Sequence, residues 1–233
     1  MAGIAIILIL AGLVVILGGA WAYWRYIWFF RNPARTPLPG DNLVSPADGT
    51  VVYVKQVQPG EEVMSIKQGV VVRLGDLVRQ ELAHPQLLIG IFMSPFDVHY
   101  NRIPLAGEVE FIRHYPAATE NYAMRAMHWR TLCRRPPYYR GSWHILQNER
   151  TVTKINSFFK GKIIPQYIVQ IAGKAVNGID SYIAPGQQVD KGAVFGMIRI
   201  GSQVDLLVPY LEGMQILVAP GDKVRAGESI LIS

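Results

Sequence analysis

A single cysteine, Cys133, in a chain of 233 residues excludes an intramolecular disulfide and any cysteine-rich metal site, and it suits a reducing compartment. No metal site is read from the sequence. Acidic residues are the minority, 17 against 23 basic, for a net charge of +6. Such a balance attracts nucleic acid and anionic lipid alike. Charge is absent altogether from Ala2 to Trp24, through the run GIAIILILAGLVVILGGAWAYW. As a helix at ~1.5 Å per residue that stretch reaches about 34 Å, enough to cross a hydrocarbon core of about 30 Å. In lipid its backbone amides need internal partners, so a single span must be helical.

Two readings of the span compete. Ala20-Trp21-Ala22 resembles a small-x-small cleavage site, as in a signal peptide. No Lys or Arg precedes the run, however, and it is longer than a signal core. Arg25, Arg31 and Arg35 follow it, within a belt formed by Trp21, Tyr23, Trp24, Tyr26, Trp28, Phe29 and Phe30. An uncleaved anchor is the reading adopted, at the cell (inner, cytoplasmic) membrane, with the following domain on the cytoplasmic side. With an anchor present, lipid headgroups rather than nucleic acid are the expected partner of the basic surface.

Long capped amphipathic helices are missing after the anchor. Residues 31–40, rich in proline, read as a connector, leaving 41–233 as the domain. Its runs TVVYVKQV, GVVVRL, QLLIGIFM, KIIPQYIVQIAG, AVFGMIRI, VDLLVPY and MQILVA are rich in Val and Ile and bounded by Gly, Pro or Asp, so short strands are expected. The pattern PGxxVxxG occurs at Pro185–Gly192 and again at Pro220–Gly227, with its first half at Pro59–Val63. Each copy supplies a turn and then a strand. The expected fold is mainly β (α+β): a pseudo-symmetric sandwich or barrel with hairpins like those of lipoyl- and biotinyl-carrier domains, behind one transmembrane helix at residues 1–30. The segment His114–Arg150 has weak strand patterning and many aromatic and Arg residues, and reads as a membrane-facing flap.

Three motifs carry the candidate chemistry: Ser45-Pro46-Ala47-Asp48-Gly49, Phe92–Pro104 (FMSPFDVHYNRIP) and Phe195–Asp205 (FGMIRIGSQVD). Together they place Asp48, His99 and Ser202 on a β scaffold, the ingredients of an activated hydroxyl. Ser202 does not sit in GxSxG, so no nucleophile elbow is signalled. These motifs, with Asn148-Glu149-Arg150 and Val169–Gly173 (VQIAG), resemble the phosphatidylserine decarboxylase family in its short, single-anchor form, from about Asn32 to the C-terminus.

The resemblance implies a self-processing proenzyme. The serine at Ser202 would attack the Gly201 carbonyl, splitting the chain into 1–201 and 202–233. The new N-terminus at position 202 would become a covalent pyruvoyl cofactor, an electron sink for decarboxylating a serine headgroup to ethanolamine. His99 is the implied base and Asp48 its orienting carboxylate; no metal is implied. The implied partners are a phospholipid substrate, the membrane and the two self-derived chains, with homodimerisation left open. Longer family members carry a second His where this chain has Arg102. Either His99 serves both steps, or one of His84, His114, His128 and His144 joins the site. Diacyl phosphatidylserine and an archaeal ether-lipid analogue would need the same chemistry. A lipoyl-like membrane adaptor and a serine hydrolase remain the rivals from other classes.

Overall fold

Alternation of branched apolar residues with polar ones, broken by Gly and Pro, dictates short strands, and the computed structural model describes them over residues 2–174, 178–199 and 201–233. By contacts the chain falls into two units, up to Pro33 and from Ala34 onward. The first unit is the helix α1 (Ala2–Tyr23), which continues through one π-helical turn at Trp24–Trp28. It is long and apolar enough to cross a membrane, and its side chains from Ala2 to Ala20 are exposed.

The second unit runs β1 (Leu43–Val44), β2 (Gly49–Val57), β3 (Glu62–Lys67), β4 (Val70–Arg73), α2 (Leu74–Val78), β5 (Gln86–Met93), β6 (Tyr100–Arg102) and β7 (Gly107–Tyr115). Two short helices follow, α3 (Arg125–Leu132) and α4 (His144–Gln147). Then come β8 (Arg150–Phe159), β9 (Lys162–Ala172), β10 (Ile179–Ser181), β11 (Gln188–Val189), β12 (Val194–Ile198), β13 (Ser202–Pro209), β14 (Lys223–Val224) and β15 (Ile230–Ile232). The fold is mostly β. Eight strands form one curled sheet in the order β11-β7-β8-β9-β13-β5-β2-β14, and β10-β12-β6 form a second, smaller one.

The PGxxVxxG copies supply the two edges of the large sheet. β11 pairs with the start of β7, Val189 opposite Gly107; β14 pairs with the start of β2, Val224 opposite Gly49. The hydrogen bonds repeat in detail. Val51 donates its N–H to the Asp222 carbonyl (2.9 Å) and accepts from Gly221 (2.8 Å). Val109 donates to Gln187 (2.9 Å) and accepts from Gly186 (2.7 Å). The closing glycines donate to Ser45 and Ile103, each at 2.8 Å. One half of the sheet, β14-β2-β5-β13, thus mirrors the other, β11-β7-β8-β9, about a pseudo-twofold between β13 and β9. Gly49 and Gly107 are equivalent in it. A Cβ on Gly49 would strike the Phe92 carbonyl, and one on Gly107 the Asn156 carbonyl.

The inner strands β5, β9 and β13 bury both faces over most of their length. Ile89, Ile91, Ile168, Val204 and Leu206 pack in one apolar cluster; Tyr53, Leu88, Val169 and Leu207 pack on the other side with Met124, Met127 and Ile145. At about 25 cal/mol per Å² of apolar surface removed from water, these two layers supply most of the drive to fold. One expectation is corrected. The run MQILVA is no regular strand: it forms an isolated bridge, Ile216 to Ile232, flanked by backbone hydrogen bonds of Gln215 with Ser233 and of Leu217 with Leu231. The segment His114–Arg150, expected to be a membrane-facing flap, carries α3 and α4 and is pinned by buried Met127, Ser142, His144 and Asn148, leaving Trp129 and Leu132 exposed.

Candidate active site

The register of the large sheet brings the three sequence motifs to one end. Ser202, the first residue of β13, lies opposite Met93 at the end of β5 and opposite Ala172 at the end of β9. On the far side of β5, Thr50 of β2 faces Phe92, so Asp48 stands two strands from Ser202, roughly 10 Å across the sheet. β6 crosses the same end. Its Asn101 accepts from Gln170 of β9 (2.8 Å), and its Arg102 N–H donates to the Pro46 carbonyl (2.9 Å). The SPADG, DVHYNR, VQIA and GS segments therefore meet. Gly196 is needed for the meeting: a Cβ there would press on the Asp180 carbonyl and on the Gln170 amide.

Gly201 has φ +64°, the left-handed region that a side chain resists, yet among the described residues nothing stands within 4 Å of where its Cβ would be. Conformation, not space, calls for glycine at this position. The Ser202 hydroxyl is fully buried and donates to Met93 Sδ at 3.4 Å. A thioether is a weak acceptor, so leaving it costs little. His99 is also fully buried, with Nδ1 at 2.9 Å from the Asp97 carbonyl oxygen. A carbonyl only accepts, so Nδ1 carries the hydrogen and Nε2 the lone pair, the tautomer a base needs. Asp97 itself is held in a tight turn, its carboxylate accepting from Ser94 N–H at 2.8 Å.

Asp48 is nearly buried. Its Oδ2 accepts from Arg35 (2.9 Å) and its Oδ1 from the Ala226 N–H (2.7 Å); Arg35 also reaches Glu228 (2.7 Å). Arg35 comes from the proline-rich stretch after the anchor. The part of the connector from Ala34 onward thus belongs to the domain and supplies a cation to the candidate carboxylate. Arg102 is buried, donates to the Gly192 carbonyl (2.8 Å), and lies in the field of Arg35, Asp48 and Glu228.

Asn148 of the NER motif explains that motif physically. Its amide donates to the carbonyls of Tyr122 (2.8 Å) and Ala172 (2.6 Å) and accepts from Tyr122 N–H (2.7 Å), tying the approach to α3 to the strand end beside Ser202. Against that end lies a cleft of about 390 Å³, lined by Phe92, Pro95, Met124, Arg125, His128, Trp129 and Gly201. Of the four alternative histidines, His128 lines this cleft; His114 is half exposed beside Thr151 and Glu149, and His84 precedes β5.

His144 belongs to a buried network that sequence reasoning did not find. Asp205 Oδ1 accepts from Tyr53 OH (2.7 Å) and Gln203 Nε2 (2.7 Å), while Gln203 Oε1 accepts from His144 Nε2 (3.0 Å). Asp205 Oδ2 has no partner among the described residues. Burial pushes the Asp205 carboxyl up to about 6 and holds the His144 imidazole down to about 4. Burial also lowers Arg150 to about 10; its guanidinium is caged by the Asn148 and Asp76 carbonyls. Gln203 follows Ser202 directly, so the network fixes the strand that presents the serine, from the opposite face of the sheet.

A sequence model of phosphatidylserine decarboxylase matches residues 23–232. The chain belongs to the phosphatidylserine decarboxylase family. Relatives include the phosphatidylserine decarboxylase proenzymes of Nitrobacter winogradskyi, 34% identical over 88% of this chain and 69% of that one, and of Pelobacter propionicus, 33% identical over 88% and 74%. A protein of Methanopyrus kandleri provisionally named archaetidylserine decarboxylase proenzyme is 34% identical over 88% and 80%. Family membership makes this chain a carboxy-lyase by class, and it removes the adaptor and serine-hydrolase readings.

Proposed function

We propose that the protein cuts itself between Gly201 and Ser202 and then, as a pyruvoyl enzyme, decarboxylates phosphatidylserine to phosphatidylethanolamine and CO₂. The observation that carries this reading is the Gly201-Ser202 junction. A left-handed glycine, open on its side-chain side, precedes a buried serine held between two strands.

In the cutting step, Ser202 Oγ leaves Met93 Sδ, passes its proton to His99 Nε2, and bonds to the Gly201 carbonyl carbon. The C–N bond breaks, the nitrogen takes up a proton, and the amide has become an ester. Loss of the residue-202 α-proton then breaks Cβ–Oγ, freeing the Gly201 carboxylate and leaving dehydroalanine, which water converts to a ketone and ammonia. His99 is the base, fixed by the Asp97 carbonyl. Asp48, held by Arg35 and the Ala226 N–H, is the carboxylate that would steady the imidazolium.

The residues around position 202 fit the group so formed. The junction borders an apolar cleft, and β5 and β9 hold residue 202 from both sides. The pyruvoyl carbonyl supplies an electrophile for the substrate amine and a sink for the electrons left by CO₂. The apolar walls Phe92, Met124 and Trp129 exclude water and favour loss of a carboxylate whose charge disperses. Arg25 and Arg31 directly after the apolar helix favour a cytoplasmic placement of the domain at the cell membrane. Diacyl and ether lipids share the reacting headgroup, and relatives named for each match this chain equally well.

Intact mass spectrometry under denaturing conditions tests the reading. Wild-type protein should give two fragments split after Gly201, the smaller blocked by a pyruvoyl group, and Ser202→Ala should give one inactive chain. An active wild-type preparation made of a single uncut chain would overturn it.

A further inference from the structure

We propose that Arg125 and His128 of α3 bind the phosphodiester of the serine headgroup; this rests on the lipid-decarboxylase reading of the same site. Residues 125, 128 and 129 stand at i, i+3 and i+4, one face of a helix, and all three line the cleft at Gly201. The opposite face holds the helix down through buried Met127. Among the described residues, no carboxylate lines the cleft and no ion pair engages Arg125. The His128 ring packs edge-on against Phe92, with centroids 5.8 Å apart, and even a neutral imidazole keeps one N–H to donate. A cation and a donor set among Phe92, Pro95, Met124 and Trp129 call for an anion, because apolar walls strengthen the attraction.

The substrate brings two anions, and the reaction distinguishes them. A cation on the carboxylate would stabilise charge that is lost as CO₂ leaves, raising the barrier. The phosphate keeps its charge throughout, so binding it anchors the substrate without opposing the chemistry. Its position also fits. Three bonds of about 1.5 Å separate the phosphorus from the carbon that loses CO₂, so a substrate held at residue 202 carries its phosphate into the adjoining cleft. Beyond it, Trp129 and Leu132 of α3 and Phe96 are 61%, 67% and 68% exposed, an apolar margin for the glycerol and the first acyl carbons.

The test uses the full-length protein in nonionic micelles with a soluble short-chain phosphatidylserine. Arg125→Gln and His128→Gln should still cut themselves but raise KM about tenfold or more with kcat nearly unchanged, and Arg125→Lys should recover part of the loss. Glycerophosphoserine should inhibit the wild type competitively and Arg125→Gln about tenfold more weakly. Inorganic phosphate at the same concentration should inhibit neither, which separates a headgroup site from a free-phosphate site. Unchanged KM in both Gln variants, or inhibition by phosphate as strong as by glycerophosphoserine, would overturn the proposal. A wild-type enzyme that cuts itself yet leaves every phosphoserine lipid intact would instead overturn the substrate reading beneath it.

Discussion

Replacing Asp205 by Asn should expose a pH dependence of stability that the native protein hides. Asp205 is fully buried, and burial raises its carboxyl from the ordinary 3.8 to about 6. The folded state therefore holds this proton more tightly than the unfolded state. Stability from Asp205 is greatest at low pH and falls as pH rises from about 4 to about 6. At about 1.4 kcal/mol per tenfold change in proton affinity, the loss is about 3 kcal/mol. His144 runs the other way. Burial lowers it from 6.5 to about 4, so the folded state resists its protonation, and stability rises by about 3 kcal/mol between pH 4 and 6.5. The two slopes are of similar size and opposite sign over nearly the same window, so in the native network they offset. Asp205→Asn keeps an oxygen for Tyr53 and Gln203 and removes the carboxyl's slope. Relative to its parent, the variant should gain about 3 kcal/mol as the pH is raised from 4 to 6.5. His144→Gln should lose a similar amount over that range. The assay is urea unfolding in a nonionic detergent at half-unit pH steps, with every variant in the uncut Ser202→Ala background so that one chain unfolds. A difference between Asp205→Asn and its parent that stays flat within about 1 kcal/mol would refute the reasoning.

Gly49→Ala drives a methyl group into the Phe92 carbonyl and displaces the start of β2, with Asp48 beside it. It should cost about 1–3 kcal/mol by the same assay and slow self-cutting in a mass-spectrometric time course. His99→Gln keeps a donor near the Asp97 carbonyl but removes the base, so the uncut precursor should accumulate, its cutting slowed by about 10²-fold or more. Normal cutting in that variant would take His99 out of the first step.

Strongly apolar strands were legible from local pattern alone. QLLIGIFM is β5 residue for residue, and KIIPQYIVQIAG overruns β9 by one. β7 and β8 were missed because GEVEFIRHY and RTVTKINSFF alternate with charge and amide groups; β8 buries Arg150, Thr151, Thr153 and Ser157 against partners distant in sequence. At the site, Asp48, His99 and Ser202 could be named because each sits in a short motif, and the register gathers those motifs. Arg35 was hidden in a proline-rich stretch that reads as a tether, and its role depends on Glu228, 193 positions away. Tyr53, His144, Gln203 and Asp205 form a network that spans 152 positions. The available sign was an acidic residue inside the apolar run VDLLVP, where a charge is costly without a partner.

β13 is an interior strand, hydrogen-bonded to β9 and β5. If the bond before it is cut as proposed, the fragment from 202 onward also owns β14 and β15, which pair with β2 and β1 of the longer fragment. Within the shorter piece only the bridge of Ile216 to Ile232 joins one segment to another, so most of its strand pairing is with the longer fragment. Assembly is then possible once, while the chain is continuous and its ends are tethered. Afterwards any opening of the sheet releases a partner that must be found again by diffusion, and recovery becomes dependent on concentration. The lifetime of an enzyme cut in this way would therefore be set by the rate at which the sheet opens, rather than by an equilibrium it can revisit.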